Sequence, residues 1–335
     1  LFSILMKTAL KIIAFLLGCI FVFLLAIGSN SAWMSKFESS FPNPYRYGDL
    51  YMLSNMPGYR VKNNKIVKPI IHHKNSETAL TVIGDSYTQH FDSSFFSAGE
   101  YRYIHWNSIP DTVAIDTNKK NILIIESAER YIRWRFIKNS LLSIGTKNKT
   151  PDTESNTVKL LAEENLQFML TNFDWGMSFK ELKTGIYLKA FNRFSKTVEK
   201  PDGSGRLFLS ETIDPDNNAS AFTKIPDTEI KELVLNLNQV SNQLKQIGFD
   251  EVYISIIPNA ATIYKTNGLP YNQLIPRIQN DPDTHFKFIE LLTPFQKEQH
   301  AVFLCNDSHW NELGKMIWLQ HVNTIINKPY KHQKN

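Results

Sequence analysis

The chain has 335 residues, of which 42% are hydrophobic and 12% aromatic, enough to bury the core of one large domain or two smaller ones. Charged residues make up 21%, which excludes global disorder. The formal net charge of +5 comes without a dense basic stripe, which argues against a nucleic acid partner. The two cysteines form neither a disulfide framework nor a metal motif, so we expect no metal and no cofactor.

An uncharged apolar run covers residues 12–28 and follows Lys7 and Lys11. Its length matches the shortest segments that span a bilayer, and the upstream lysines favour an inside amino terminus. We therefore predict that residues 1–32 form an N-terminal transmembrane helix. It would cross the inner (cytoplasmic) membrane once and leave the remaining chain in the periplasm or outside the cell. A cleaved signal peptide and a lipoprotein anchor at Cys19 stay open as alternatives.

Residues 33–75 contain several prolines and no sustained helical period, which predicts a linker that leads into the folded domain. From there on, apolar runs typical of buried strands alternate with helical periods. Such alternation indicates an α/β fold, a three-layer α/β/α sandwich around a mostly parallel sheet, over residues 76–330. The predicted strands are residues 80–83, 101–106, 121–125, 251–257 and 301–304, and the predicted helices are residues 158–173, 227–248 and 310–326.

Residues 146–224 interrupt this alternation with a stretch rich in Asn, Thr, Lys and Asp. We interpret the stretch as an insertion into the α/β domain, partly helical and partly loop. Two roles are open for it: a cap that faces the substrate, or a passive surface insertion.

Two short motifs each follow a predicted strand: Gly-Asp-Ser-Tyr at 84–87 and Asp-Ser-His-Trp at 307–310. The ends of parallel strands meet at one edge of a sheet, where ligands bind. A serine hydroxyl becomes a nucleophile only beside a base, which a third group orients. We therefore predict Ser86 as nucleophile, His309 as base and Asp307 as orienting carboxylate. Ordinary turns with helix-capping residues are the alternative explanation of both motifs.

These motifs together resemble the SGNH (GDSL-like) hydrolase superfamily. Asp-Ser-His-Trp-Asn at 307–311, followed by a glycine at 314, is similar to the alginate O-acetyltransferase (AlgX/AlgJ-like) branch, as is Ile-Ile-Glu-Ser-Ala-Glu-Arg-Tyr at 124–131. The likeness covers residues 78–135 and 250–325. Two features depart from it. The Asp/His pair follows the serine, whereas in that branch it usually precedes it, and the Gly-x-Asn-Asp block of ordinary SGNH enzymes is not recognisable.

The resemblance also implies an oxyanion hole and a substrate-binding surface. Asn107 is the candidate for the missing oxyanion donor. Two roles are open for Arg130: an ion pair with Glu129 or a contact with substrate. Two roles are also open for Trp310: a core position or a platform for a sugar ring. The candidate oxyanion and substrate residues are Asp85, Tyr87, Asn107, Arg130 and Trp310.

The resemblance implies a serine-dependent acyl-ester enzyme, an O-acetyltransferase or O-acetylesterase that acts on a cell-envelope or secreted polysaccharide. Its implied partners are an O-acylated glycan and, as one source of acyl groups, a membrane-bound O-acyltransferase. A general carboxylesterase or lipase-like hydrolase is one alternative. A non-catalytic envelope protein that binds glycan or an assembly partner is the other.

Overall fold

The computed structural model describes residues 2–28, 30, 44–62, 69, 71, 73–109, 112–137, 172–201, 205–264, 268–298 and 302–328. Within these residues the chain forms nine α-helices and five β-strands. The helices are α1 (Phe2–Gly28), α2 (Asp49–Ser54), α3 (Glu129–Ile137), α4 (Asp174–Phe191), α5 (Asp227–Ile247), α6 (Ala260–Tyr264), α7 (Leu274–Gln279), α8 (Leu292–Lys297) and α9 (Glu312–Ile326); the strands are β1 (Asn75–Gly84), β2 (Ala98–His105), β3 (Lys120–Ala128), β4 (Glu251–Ile257) and β5 (Lys287–Ile289).

The chain divides into two compact units. The first comprises Leu1–Tyr47, Ser54–Lys62 and Thr150–Phe194, and includes helices α1 and α4. The second comprises Gly48–Leu53, Asn63–Lys149 and Ser195–Asn335, and includes the whole sheet. Both predicted motifs, at 84–87 and 307–310, belong to the second unit.

The five strands form one sheet in the order β2-β1-β3-β4-β5, and every neighbouring pair is parallel. This confirms the predicted α/β fold with a parallel sheet. After β2 the chain returns past β1 to form β3 on its other side, so the direction of winding reverses at β1. In open α/β sheets, ligands bind in the crevice beyond the carboxyl ends of the strands at such a reversal. The end of β1, where Ser86 follows, is therefore the expected position of a site.

Successive residues of the central strands contribute to two separate hydrophobic clusters. Ile124 belongs to the cluster that contains Trp318 of helix α9. The next residue, Ile125, belongs to the cluster that contains Ile132 of α3 and Leu233 of α5. Because alternate strand residues point to opposite faces, both faces of the sheet are covered by apolar packing.

Four of the five predicted strands are confirmed, as β1 to β4, but the strand predicted over 301–304 is wrong in its described part, 302–304. The backbone N–H groups of Val302 and Phe303 donate to the Tyr264 hydroxyl, at 3.1 and 3.2 Å, and not to a neighbouring strand. Phe303 forms only an isolated antiparallel bridge with Trp310, which makes 302–310 a loop closed on itself. The fifth strand of the sheet is β5, which the sequence pattern did not indicate.

The helix predicted over 227–248 is confirmed as α5. The helix predicted over 310–326 is confirmed as α9, which begins two residues later because Asn311 caps it: its side-chain oxygen accepts the N–H groups of Leu313 (2.9 Å) and Gly314 (3.2 Å). The helix predicted over 158–173 lies outside the described residues, apart from its last two, which are not helical.

Two segments predicted as linker and insertion contain ordered structure. The predicted linker, 33–75, includes helix α2 and the beginning of β1. Near the end of the predicted insertion, Phe208, Ala221 and Phe222 are buried in the same cluster as Trp318. This part of 146–224 is therefore core and not a passive surface addition.

Helix α1 contains the segment Met6–Leu24, whose mean hydropathy is 2.1 and of which no part is buried. The segment is long and apolar enough to cross a membrane. A signal sequence near an amino terminus has the same features, so the structure is consistent with both the predicted anchor and the cleaved alternative.

Replacement of Trp318 by Ala is expected to lower the free energy of unfolding by about 3–5 kcal/mol. The indole is fully buried and its N–H donates to Ser255 Oγ at 3.0 Å, so the change leaves a cavity and an unpaired hydroxyl. Denaturation of the detergent-solubilised chain, followed by circular dichroism, measures the loss. Trp134→Ala is the control, because that ring is 63% exposed. Equal losses in the two variants would contradict the packing described here.

Candidate active site

Strand β1 ends in a tight turn that contains Ser86. The backbone N–H of Asp85 and the hydroxyl of Thr88 both donate to Glu126 Oε2, each at 3.0 Å. A Cβ atom at position 84 would overlap the Thr88 hydroxyl and come within 2.7 Å of the Glu126 carboxyl. The glycine of the Gly-Asp-Ser motif is therefore required by space, because the turn folds back onto the neighbouring strand β3.

The structure brings together the three residues predicted as nucleophile, base and orienting carboxylate. Ser86 Oγ lies 2.7 Å from His309 Nε2, and His309 Nδ1 lies 2.9 Å from Asp307 Oδ1. Ser86 is half-buried and the His309 side chain is 28% exposed, so the hydroxyl and the imidazole remain open to a reactant. With the Nδ1 proton directed to Asp307, Nε2 is free to accept the serine proton.

Tyr87 holds the loop that carries His309. Its hydroxyl donates to the backbone oxygen of Ser308 at 2.8 Å, and its ring lies 4.8 Å from the His309 ring, measured between centroids. Burial raises the pKa of Tyr87, so the hydroxyl remains a donor. Tyr87 is 3% exposed and packed against the His309 loop, so it supports the site from within, and a contact of its hydroxyl with substrate stays a prediction.

Asp49, which the sequence analysis missed, is a second carboxylate beside the imidazole. Its Oδ1 accepts the backbone N–H of Ser308 at 2.7 Å, its Oδ2 accepts the Ser308 hydroxyl, and Oδ2 lies 3.6 Å from His309 Nδ1. Asp49 opens helix α2 inside the predicted linker, where no motif marked it. The only local signal was an acidic residue after a glycine at the start of an apolar segment.

The two carboxylates titrate differently. Burial alone would raise the pKa of Asp307, but the hydrogen bond and the charge of His309 outweigh it and lower that pKa to about 2. Burial and, after it, the negative charge of Asp307 raise the pKa of Asp49. Asp307 is therefore the carboxylate that is ionised beside the imidazole at neutral pH.

Asp85 and Glu126 support the turn from below. Asp85 Oδ2 lies 2.9 Å from the guanidinium of Arg135, and its Oδ1 accepts the N–H of Tyr87 at 3.1 Å. Glu126 is fully buried; burial and, after it, the charge of Asp85 raise its pKa well above the usual value. The Asp85 carboxylate is thus committed to structure, which corrects its assignment as an oxyanion or substrate residue.

Glu129 and Arg130 do not form an ion pair, which was one of the two roles that the sequence left open for Arg130. Glu129 accepts the N–H of Asn259 at 2.8 Å and the hydroxyls of Thr262 and Tyr271 at 2.5 and 2.8 Å. Arg130 instead donates to the Tyr87 hydroxyl at 3.2 Å. Arg130 is 8% exposed and supports Tyr87, and its contact with a substrate stays a prediction.

The last two predicted residues lie in different surroundings. Trp310 is 3% exposed and packs edge-on against Tyr87 with centroids 5.4 Å apart, which makes it a core residue and excludes an open sugar platform. Asn107 is exposed in a short 3₁₀ helix after β2. Among the described hydrogen bonds, none joins Asn107 to the Ser86–His309–Asp307 group, so its role as oxyanion donor stays a prediction.

The turn itself offers an oxyanion donor. In residues 84–90 the N–H groups of Asp85, Tyr87, Thr88 and Gln89 donate to Glu126 or Asp85, whereas no described hydrogen bond uses the N–H of Ser86. That N–H belongs to the residue whose hydroxyl faces the base. It can therefore receive the negative charge that develops when the hydroxyl attacks a carbonyl.

Asp49, Asp307 and His309 also form a donor set that can hold a metal ion. One donor atom from each residue lies within 4.8 Å of the other two. Two carboxylates and an imidazole suit a borderline cation such as Zn²⁺. In the described arrangement, however, both imidazole nitrogens already have partners, Ser86 and Asp307.

Comparisons of this chain with protein-family models, with curated proteins and with solved structures find no match in any of the three. The chemistry of the site is therefore inferred from its own geometry.

The raised pKa of Glu126 gives the stability of the protein a pH dependence. The folded state retains a proton on Glu126 that the unfolded state releases above about pH 4.3. The free energy of unfolding should therefore fall as pH rises from that value toward the raised pKa. Glu126→Gln, which carries no such proton, should show a smaller fall between pH 5 and pH 8.

Urea denaturation at the two pH values measures the effect. Glu232→Gln, an exposed change on helix α5, is the control and should retain the wild-type fall. If Glu126→Gln shows the same fall as wild type, the buried carboxyl is ionised in the folded protein and the interpretation is wrong.

Proposed function

We propose that this chain is a serine-dependent acyl-ester enzyme of SGNH type, an O-acetyltransferase or O-acetylesterase for cell-envelope or secreted polysaccharide. The observation that carries the proposal is the continuous hydrogen-bond chain from Ser86 Oγ through His309 to Asp307, with steps of 2.7 and 2.9 Å. Ser86 and the Asp307/His309 pair lie more than 200 positions apart and have no packing reason to align hydroxyl, imidazole and carboxylate in that order. Such alignment is the requirement for nucleophilic acyl transfer.

The fold supports the same class. Ser86 follows β1, at the reversal of winding where open α/β sheets bind ligands. In the proposed architecture, α9 forms one outer layer, and α3 and α5 form the other layer of a three-layer α/β/α sandwich. In that architecture, the Gly-Asp-Ser turn precedes the first helical connection and the Asp-x-His motif precedes the last helix. SGNH enzymes carry their corresponding motifs at these positions.

In the first half-reaction, the Ser86 hydroxyl attacks the carbonyl carbon of an ester while His309 Nε2 takes its proton. The charge on the carbonyl oxygen is received by the Ser86 N–H, and Asp307 stabilises the imidazolium that forms. The tetrahedral intermediate collapses as His309 returns the proton to the departing alcohol oxygen. The products are an acyl ester on Ser86 and a free hydroxyl on the leaving group.

In the second half-reaction, His309 accepts a proton from the hydroxyl that attacks the acyl-serine. A sugar hydroxyl gives a new O-acetyl ester, which is transfer, and water gives acetate, which is hydrolysis. Ser86 recovers its proton from His309 in both cases. The outcome depends on how well the bound sugar excludes water from the acyl-enzyme.

The compartment in this proposal is inferred from helix α1. As an uncleaved anchor it would hold the site at the outer side of the cytoplasmic membrane, in the periplasm or extracellular space. There the enzyme can meet glycan substrate and a membrane-bound O-acyltransferase that supplies acyl groups.

The proposal is tested by intact-mass measurement after incubation with an aryl acetate. Wild type should gain one acetyl group, and Ser86→Ala should gain none. His309→Gln should acylate about 10²–10⁴-fold more slowly because the base is lost. Ser108→Ala, an exposed serine after β2, is the matched control and should behave as wild type.

Three other outcomes would contradict the proposal. An adduct that persists in Ser86→Ala would place the nucleophile elsewhere. Faster acylation by long-chain than by acetyl esters would favour a lipase-like hydrolase. Loss of activity with a chelator, restored by Zn²⁺, would favour metal chemistry at Asp49, Asp307 and His309. Incubation of the acetyl-enzyme with candidate oligosaccharides then shows whether sugar or water takes the group.

A further inference from the structure

Asp49 belongs to a short segment, Gly48–Tyr51, that is docked onto the loop of His309. The N–H of Tyr51 donates to the backbone oxygen of Asn306 at 3.1 Å. Gly48 has a φ of +80°, and a Cβ there would overlap that same backbone oxygen. A glycine therefore precedes Asp49 for both conformation and space, and the contact fixes the Asp49 carboxylate against residues 306–309.

The Asp49 carboxyl contacts the loop of His309 through both of its oxygens. Its Oδ1 accepts the N–H of Leu50 as well as that of Ser308, both at 2.7 Å. Its Oδ2 accepts the Ser308 hydroxyl and lies 3.6 Å from His309 Nδ1, and its side chain is also hydrogen-bonded to that of Asp307. Asp49 therefore contacts three successive residues of this loop, 307–309.

We infer that Asp49 is a positioning residue of the site, a second carboxylate that fixes the His309 loop and favours the imidazolium form of His309 during catalysis. The inference rests on the proposed function and extends it. Asp307 takes the direct hydrogen bond, whereas Asp49 acts on Nδ1 through space and on the backbone of Ser308. When His309 gains the serine proton, its positive charge also favours ionisation of Asp49, so both carboxyl groups lower the energy of that state.

Other titratable groups face the same two residues and enter the test. Tyr87 packs on the His309 ring and interacts with the charge of Asp49. His90 interacts with the charge of His309 and with that of Lys315 on helix α9. The groups around Asp49 and His309 are thus Asp307, Tyr87, His90 and, through His90, Lys315.

The test is Asp49→Asn in the full chain. Asparagine retains the Oδ1 acceptor for Leu50 and Ser308 but removes the charge. With an aryl acetate as substrate, kcat should fall about tenfold with little change in KM, because the charge acts on the imidazolium and not on binding. The acid limb of the kcat/KM profile should move to lower pH by about one unit, since a lost negative charge favours the neutral base.

Two controls separate charge from structure. Ser308→Ala removes the hydroxyl bond to Asp49 but keeps the carboxylate, so its acid limb should stay in place. His90→Gln removes the nearby exposed imidazole. When it is combined with Asp49→Asn, the acid limb should show the same shift as in Asp49→Asn alone.

An unshifted acid limb in Asp49→Asn would overturn the inference, even if kcat falls, because a structural tie alone would give that result. Rescue of kcat and of the limb by Asp49→Glu would support it. Failure of wild type to form an adduct on Ser86 would instead refute the proposed function, so the two failures are distinguishable.

Helix α4 of the first compact unit has its apolar face turned outward. Trp175, Phe179, Leu182 and Ile186 recur at helical spacing and are 50–66% exposed. The opposite face is partly buried except at its last residue, Phe191, and on it the Thr184 hydroxyl donates to the backbone oxygen of Ser54 at 3.2 Å. A soluble helix normally has the reverse arrangement, with its apolar stripe facing the core.

The charges around this stripe are predominantly basic. Its two acidic residues are engaged in ion pairs, Asp174 with Arg46 at 3.0 Å and Glu181 with Arg60 at 3.3 Å. The lysines of the helix are Lys180, Lys183 and Lys189. A stripe of aromatic and aliphatic residues flanked by lysines is typical of helices that lie in the interface of an anionic bilayer.

The geometry points to a lipid surface with anionic headgroups as the partner of the α4 stripe. Helix α1, which can cross a membrane, belongs to the same compact unit, so a bilayer would be near this unit. The stripe would then lie in the headgroup region while the packed face of α4 remains attached to the protein.

The test labels the full chain with an environment-sensitive fluorophore at Leu182→Cys, after replacement of the two native cysteines. In vesicles of mixed anionic and zwitterionic lipid, the label should shift to the blue and be quenched by nitroxide lipids. The control label at Phe191→Cys lies half a turn away from Leu182 around the helix, at similar exposure, and should stay in water.

Equal responses of the two labels would overturn this assignment, and so would an equal response in purely zwitterionic vesicles. The label at 182 could instead become shielded in detergent, without lipid, as the protein concentration rises. That result would identify a second copy of the chain as the occupant of the α4 stripe and would also overturn the assignment.

Discussion

The arrangement of the candidate site depends on the attachment of one loop, residues 302–310, to the end of strand β1. No strand of the sheet carries this loop, so its position is set by individual hydrogen bonds. Tyr264 holds its beginning, Tyr87 and Asp49 hold its middle at Ser308, and the Phe303–Trp310 bridge closes it. The 2.7 Å contact between Ser86 and His309 exists because these bonds act together.

A layer of buried acids lies under the reactive turn. Glu126 binds the turn after β1, and Glu129 binds the segment after β4, each by several hydrogen bonds to one carboxyl. Burial raises the pKa of both. The ends of β1, β3 and β4 are thereby tied into one rigid edge.

The sequence predicted the parts of the fold whose pattern is local. Residues 251–257 form a strand as expected because a continuous apolar run of that length needs burial on both faces. Residues 301–304 have a similar apolar pattern, but the N–H groups of Val302 and Phe303 donate to the Tyr264 hydroxyl and not to a neighbouring strand. Strand β5 escaped prediction because it has three residues and begins with an exposed lysine.

The site was predictable to the extent that chemistry-bearing residues clustered in motifs. Ser86, Asp307 and His309 could be selected because each follows an apolar run within a recognisable tetrapeptide. Asp49 could not, because its role comes only from the docking of α2 onto a loop more than 250 residues away. Trp310 was ambiguous because an aromatic ring beside a histidine suits a core and a sugar platform equally, and only burial decides between them.

The order of these residues along the chain has a consequence for biosynthesis. Asp49 and Ser86 emerge early from the ribosome, but their partner His309 is made more than 200 residues later. A growing chain, or one only partly moved across a membrane, therefore holds a serine without a base. Whatever reactivity the hydroxyl has can arise only once the loop with His309 has been made and has docked.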